Sequence, residues 1–276
     1  MNKDELIQKV ISKKEFSQLP EIDIELAYKK FERRQSSDEE KIKLMRDFLR
    51  RAFSAFASDK ILSPKNKDEN WILRKHLSTR ERMNIQHSSK NGQMGERQSF
   101  YEEIYSKILK GLPKSISIFD FGAGINGFSY KFFDQVGFNV RYYGFESVGQ
   151  LVDLTNNYFL KNKFSAKMFH LSLFELDKIK EIVKNEKLPR VLFLFKVIDA
   201  LEMVEDNYSK KFLLGLSDYF DRFIVSFPTR SMHKREKFNV SRNWILKFVE
   251  DNFSILDNFE IGGERYIIFK NKPKNL

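Results

Sequence analysis

The stretch SISIFDFGAGING, Ser115 to Gly127, constrains the fold more than any other part of the chain. Ile116 to Phe121 is a β-branched and aromatic run without Pro or Gly, the composition of a buried strand. Gly122, Gly124 and Gly127 follow in G-x-G-x-x-G spacing, and Phe128 to Val136 continues as a helix. A strand that enters a glycine turn and then a helix is expected to offer unpaired backbone N–H groups to a ligand, with glycines permitting close approach. The same spacing also occurs in purely structural strand-to-helix corners.

Two carboxylates sharpen this reading. Asp120 closes the first strand, where it would repel a pyrophosphate but suits a cationic ligand, so S-adenosylmethionine (SAM) ranks ahead of a dinucleotide. Glu146 lies 24 residues after Gly122, at the end of a second strand (Val140–Phe145), where a carboxylate accepts both ribose hydroxyls of an adenosyl group. Each also has a structural alternative, Asp120 accepting from backbone N–H groups of its own turn, a role compatible with ligand binding, and Glu146 as an exposed strand end.

Beyond the glycine turn strands and helices alternate. Lys167–Leu173 reads as the third strand, with Ser172 and Leu173 at its end bordering the same ligand. The helix Leu176–Asn185 follows. Val191–Ile198, VLFLFKVI, is a fourth strand buried on both faces, and Phe223–Phe227 a fifth, stopped by Pro228. A helix near Ser241–Asp251 precedes Ser254–Ile261 and Glu264–Lys270, which flank Gly262-Gly263 as a hairpin. Five such units ending in a hairpin predict an α/β fold of the class I SAM-dependent methyltransferase type, a Rossmann-like sheet with a terminal antiparallel hairpin, preceded by a helical segment.

The N-terminal part is helical and basic. Asp38–Ser58 forms an amphipathic helix, with Ile42, Met45, Phe48, Leu49, Ala52, Phe53 and Phe56 on one face and Lys41, Lys43, Arg46, Arg50 and Arg51 largely elsewhere. Those cations make either a solvated face or an RNA-docking surface. Lys and Arg number 49 against 38 Asp and Glu, a net charge of +11 that favours a polyanionic partner. A second basic run, with Arg230, Lys234, Arg235 and Lys237, follows the fifth strand. Open sheets bind ligands beyond the carboxyl ends of their strands, so this loop is expected to meet RNA phosphates beside the active site.

Absences restrict the chemistry. There is no cysteine, which excludes disulfides, thiolate metal sites and the thiol nucleophile used for pyrimidine C5 methylation. The four His lack ligand spacing, so no metal is expected. The opening MNKDELIQKV lacks the apolar run of a signal peptide, and no segment is long enough for a membrane span, so a cytoplasmic protein is expected. The fourth strand ends Phe195-Lys196-Val197-Ile198-Asp199 and not in the Asn/Asp-Pro-Pro-aromatic run of exocyclic-amine methylases. The acceptor is then one that needs no strong base, such as a guanine ring nitrogen, or a hydroxyl helped by a local one. Lys196 is a candidate orienting group, catalytic and cofactor-facing, or else the cap of a buried strand.

On these residues the chain resembles the aminoglycoside-resistance 16S rRNA guanine-N7 methyltransferases, the Arm/Rmt/FmrO group. His76-Leu77-Ser78-Thr79-Arg80-Glu81-Arg82 is similar to that family's H-x-S-T-x-E-R. The likeness continues through Ile118-Phe119-Asp120-Phe121-Gly122-Ala123-Gly124, Phe193-Leu194-Phe195-Lys196, Val225-Ser226-Phe227-Pro228 with Ser231, and Gly262-Gly263-Glu264. The chain's own patterning puts a boundary near residue 100, between a helical RNA-docking domain (residues 1–100) and a SAM-dependent methyltransferase domain (residues 101–276), and a monomer is expected. The likeness implies that the N-terminal helices dock on 16S rRNA within the 30S subunit. It further implies that Arg82 pairs with the methionine carboxylate of SAM, that Glu146 holds the ribose, and that Asp120, Gly122, Ala123 and Gly124 shape the rest of the cofactor site. The chain departs from the family in three places. Asn126-Gly127 stands where Asn-Pro is usual, Ala123 replaces a Cys, and Lys237-Phe238-Asn239 replaces a K-G-M run. The rival readings are a catalytically silent SAM-fold RNA-binding or assembly factor and a small-molecule methyltransferase.

Overall fold

A computed structural model of the protein describes residues 1–53, 72, 100–229, 242–261 and 263–273. Three helices open the chain: α1 (Lys3–Ile11), α2 (Glu21–Phe31) and α3 (Asp38–Ala52). After α4 (Phe100–Ile108) the chain alternates through β1 (Ser115–Phe121), α5 (Lys131–Gln135), β2 (Asn139–Glu146), α6 (Gly149–Asn162), β3 (Ala166–His170), α7 (Leu176–Lys184) and β4 (Arg190–Phe195). It continues through α8 (Ile198–Val204), α9 (Tyr208–Gly215), β5 (Arg222–Pro228), α10 (Asn243–Asn252), β6 (Phe253–Ile261) and β7 (Glu264–Asn271). The sheet order is β3-β2-β1-β4-β5-β7-β6. β1 to β5 are parallel, and β7 inserts antiparallel between β5 and β6.

Residue alternation along the strands sorts the sheet into two apolar layers. Ile116 and Ile118 of β1 join the core beneath α1 to α6, whereas Phe119 and Phe121 join the layer beneath α7 to α10. Phenylalanine and tyrosine fill both; Tyr105 and Phe133, for example, stack with centroids 4.1 Å apart. The reversal of order between β1 and β4 opens a crevice at the carboxyl ends of these strands, where ligands of open α/β sheets bind.

The first core layer runs without interruption from Leu6, Val10, Phe16 and Phe48 into the sheet. In α3 the Ser37 hydroxyl accepts from Glu40 N–H (3.2 Å), capping the helix, and Ile42, Met45, Phe48 and Leu49 form its buried stripe. The helices reach the sheet through specific bonds. Gln150 Nε2 donates to Lys14 O (2.8 Å), Lys30 Nζ to Met203 O (2.6 Å), and Ser172 Oγ to Asp23 Oδ1.

Four expected boundaries change. The α3 helix ends at Ala52, with Phe53 as its cap, not at Ser58. The helix after the glycine turn begins as a 3-10 turn, Asn126–Ser129, and the α-helix proper is only Lys131–Gln135. β3 stops at His170, so Ser172 and Leu173 lie past it. β4 stops at Phe195, because Lys196 adopts φ +60° and starts the turn into α8. No helix among the described residues is long and apolar enough to cross a membrane.

Candidate active site

The glycine turn after β1 is folded down on β2. Gly122 N–H and Ala123 N–H both donate to Phe145 O (2.9 and 3.0 Å), and Gly124 N–H donates to Glu146 Oε2 (2.9 Å). The expectation of unpaired donors is therefore corrected: these three N–H groups have partners. Gly122 (φ +66°) and Gly124 (φ +52°) hold left-handed backbone that side chains disfavour. A Cβ on Gly122 would stand 2.6 Å from Val197 Cγ2. The glycine is thus required by the packing of Val197 against the turn.

Asp120 sits inside the protein, 1% exposed, and its Oδ2 accepts from Asn126 Nδ2 and Tyr142 OH, both at 2.6 Å. Burial raises its pKa to about 6, against the lowering effect of these two bonds. It braces the turn through side chains of the next helix and strand, which is the structural alternative with different partners from those expected. Glu146 ends β2, 6% exposed, with Oε2 on Gly124 N–H and Oε1 on Val148 N–H (2.9 Å each). Burial pushes its pKa up to about 7, opposed by the backbone bonds and assisted by the charge of Asp23. Each of its oxygens keeps lone-pair capacity for a further donor.

Sequence reasoning missed Asp23. It comes from α2, is fully buried, accepts from the Ser172 hydroxyl and leaves Oδ2 without a partner. Burial lifts its pKa to about 7. Nothing in EIDIELAYKK distinguishes it from its exposed acidic neighbours. Ser172 is likewise fully buried, with its Oγ also accepting from Phe174 N–H (3.1 Å), so its hydroxyl serves the junction between α2 and the sheet.

Across the crevice, Lys196 N–H donates to Ser226 O (2.9 Å), and Lys196 Nζ lies 3.8 Å from Glu264 Oε2. The Ser226 hydroxyl donates to Glu264 Oε1. Three separate sequence motifs, ending β4, within β5 and opening β7, thus meet in one buried cluster. A lysine in left-handed backbone costs of order 1–2 kcal/mol and persists only where the surroundings impose it. Nearby, Arg242 donates to Asp199 Oδ2 (2.6 Å) and Oδ1 (3.2 Å) and to Pro228 O (2.9 Å), tying the start of α10 to α8 and to the end of β5.

Between the two groups lies a cleft of about 200 Å³. Gly122, Glu146, Leu173 and Lys196 line it, together with Ser147, Phe174, Phe195, Val197, Asp199 and the inner face of α8. Its remaining wall is Arg51, Ala52 and Phe53, the end of α3. Of the expected cofactor residues, Gly122, Glu146, Leu173 and Lys196 border the cleft, whereas Asp120, Ala123, Gly124 and Ser172 support it from behind. Arg82 lies outside the described residues, as do Arg230, Lys234, Arg235 and Lys237.

The N-terminal cations divide. Lys41 Nζ donates to Glu32 O (3.0 Å), Arg46 to Lys9 O and the Ser12 hydroxyl, and Arg50 to Glu15 and Asp47. These three tie helices together while remaining partly open. Lys43 is exposed, and Arg51 is exposed at the rim of the cleft. Among the described residues no group of His, Asp and Glu is arranged to hold a metal.

No family model matches the chain. In sequence it is similar to a 16S rRNA (guanine(1405)-N(7))-methyltransferase of Proteus mirabilis, 26% identical over 189 residues, which cover 66% of this chain. The chain spans 62% of that relative's length. In structure it is similar to the 16S rRNA methyltransferase RmtF in complex with S-adenosyl-L-homocysteine (TM-score 0.70, 16% identity, 99% of this chain and 100% of that one). This chain has the class I methyltransferase fold. The methyltransferase RmtB superposes over 99% of both chains (TM-score 0.64, 18% identity), and an rRNA methylase from Escherichia coli over 98% of this chain and 100% of its own (TM-score 0.61, 17% identity). The match to RmtF and RmtB takes in the N-terminal helices as well as the methyltransferase sheet.

Proposed function

We propose that this chain is a SAM-dependent methyltransferase that modifies guanine N7 in 16S rRNA of the 30S subunit, at the decoding site. The observation that carries the reading is convergence: Gly122, Glu146 and Lys196, separated in sequence, border one cleft in a chain similar to a named guanine-N7 methyltransferase. SAM supplies an electrophilic methyl group on a sulfonium centre. Glu146 would accept the ribose hydroxyls, Gly122 would admit the ligand close to the backbone, and Arg82 would pair with the methionine carboxylate. Lys196, fixed by Glu264 and by its own turn, would orient the acceptor. Guanine N7 carries a free lone pair, so the protein's work is alignment and exclusion of water, not proton abstraction. In A-form RNA that atom faces a groove a protein cannot enter, so the target base must leave its stack.

In this reading residues 1–100 dock the enzyme on the subunit through Lys43 and Arg51, with lesser contributions from Lys41, Arg46 and Arg50. Arg230, Lys234, Arg235 and Lys237 hold rRNA phosphates nearer the target. The enzyme acts as a cytoplasmic monomer, and its expression is expected to raise aminoglycoside resistance. The test is transfer of labelled methyl from SAM to intact 30S subunits, followed by mapping of the 16S rRNA. Binding of SAM without transfer to 30S would favour the silent RNA-binding rival. Transfer to metabolites alone would favour the small-molecule one.

A further inference from the structure

The cleft is not built by the sheet alone. Leu173 and Phe174, past β3, line it together with Val197, Ala200, Leu201, Met203 and Val204, past β4, and with the end of α3. Glu146 marks one side of that cleft. With an adenosyl ribose on Glu146 and the glycine turn beside it, the adenine would have Leu173 and Phe174 among its available neighbours in the cleft. Phe53 is half-buried there, a flat apolar group that caps α3 at the cleft wall. The wall is fixed in place: α3 packs on α8, and the preceding helix α2 is bonded to it through Lys30 Nζ and Met203 O (2.6 Å) and to the segment after β3 through Asp23 and Ser172.

We infer that the N-terminal helical segment completes the cofactor site, with Phe53 supplying the aromatic wall that the adenine of SAM packs against. The inference rests on the SAM-binding reading above and deepens it. An aromatic side chain on a nucleobase contributes enough that its truncation to alanine lowers affinity by about ten-fold to a hundred-fold. The consequence reaches beyond one contact: a segment expected to serve RNA docking would also govern cofactor affinity.

The experiment uses the full chain and two ligands, S-adenosylhomocysteine and 5′-methylthioadenosine, which share the adenosyl group but differ in the amino-acid end. Calorimetry on Phe53→Ala is expected to show both ligands weakened by the same factor, about ten-fold or more. Phe53→Leu should lose less, and Phe53→Trp should bind normally and show indole quenching on addition of either ligand, beyond any change in the parent chain. Equal binding by Phe53→Ala and the parent, with loss of 30S methylation, would overturn the inference by placing Phe53 on the acceptor side. Failure of the parent chain to bind either ligand would instead remove the SAM reading itself. Should Phe53→Ala not fold, Phe53→Trp decides: calorimetric binding without quenching refutes the contact.

Discussion

Glu146 gives the sharpest prediction, because its charge state and its proposed duty oppose each other. Its carboxyl is held by Gly124 N–H and Val148 N–H, yet burial places its pKa near 7. A raised carboxyl pKa means that the folded protein holds this proton more tightly than the unfolded chain does. Stability from this group is therefore greatest below the usual range near 4.5 and falls as pH rises to about 7, by an amount of order 3 kcal/mol, then levels off. Ribose hydroxyls need an acceptor, so ligand binding favours the ionised form. The carboxyl is about nine-tenths ionised at pH 8 and about one-tenth at pH 6, so SAM affinity should fall roughly ten-fold across that interval. Calorimetry in two buffers of different ionisation enthalpy should show close to one proton released per SAM bound near pH 6. Glu146→Gln removes the titration and should bind weakly at both pH values, with no slope. Asp23 titrates in the same range and its charge raises the Glu146 pKa, so Asp23→Asn should keep a slope but move it to lower pH. A flat affinity from pH 6 to 8 in the parent chain would refute the coupling of ligand binding to a Glu146 that titrates near 7, and unweakened binding by Glu146→Gln would refute its assignment to the ribose.

Other substitutions separate the supporting from the binding residues. Gly122→Ala places a methyl group 2.6 Å from Val197 Cγ2 in left-handed backbone, and should lower both the melting temperature and SAM affinity. Lys196→Gly relieves the unfavourable backbone and Lys196→Ala does not, so the glycine variant should melt higher than the alanine one, by about 1 kcal/mol in urea unfolding, while both lose methyl transfer. Lys43→Ala should weaken 30S binding and reduce its salt slope by close to one unit, without changing the melting temperature. Arg46→Ala should instead lower the melting temperature, through loss of its bonds to Lys9 O and Ser12, and weaken 30S binding less than Lys43→Ala does.

The sheet was legible because its strands obey simple patterns. Ile116–Phe121 is uninterrupted and buried on both faces, and Gly262-Gly263 between two β-rich runs announces the hairpin that orders β5, β7 and β6. The position of Glu146 followed from strand spacing. What stayed hidden has equally physical reasons. VLFLFKVI is apolar on both sides of Lys196, so periodicity carries no mark of where β4 ends, and the left-handed Lys196 that follows it is imposed by Ser226 and the surrounding turn. The donors of the glycine turn look free in sequence because their acceptors, Phe145 O and Glu146 Oε2, belong to a different strand. Asp23 and Ser172 are 149 residues apart, and no local pattern announces such a pair.

That pair bears on how the chain divides. A docking module that could be removed at will should meet the catalytic part through a polar, separable surface. Here α2 sends a carboxylate into a fully buried place beside Glu146, and the apolar core passes from Phe16 and Phe48 to the sheet. Removing residues 1–60 would expose that core, strip Ser172 of its partner and take away the Phe53 wall of the cleft. Loss of 30S methylation by such a truncation would then report a broken cofactor site as readily as a missing RNA surface. Point substitution at Lys43 distinguishes these causes, because Lys43 is exposed and its removal leaves the core and the cleft as they were. The proposed contribution of the helices to RNA recognition is therefore tested by surface charge in the intact chain, and their proposed contribution to the cofactor site by Phe53.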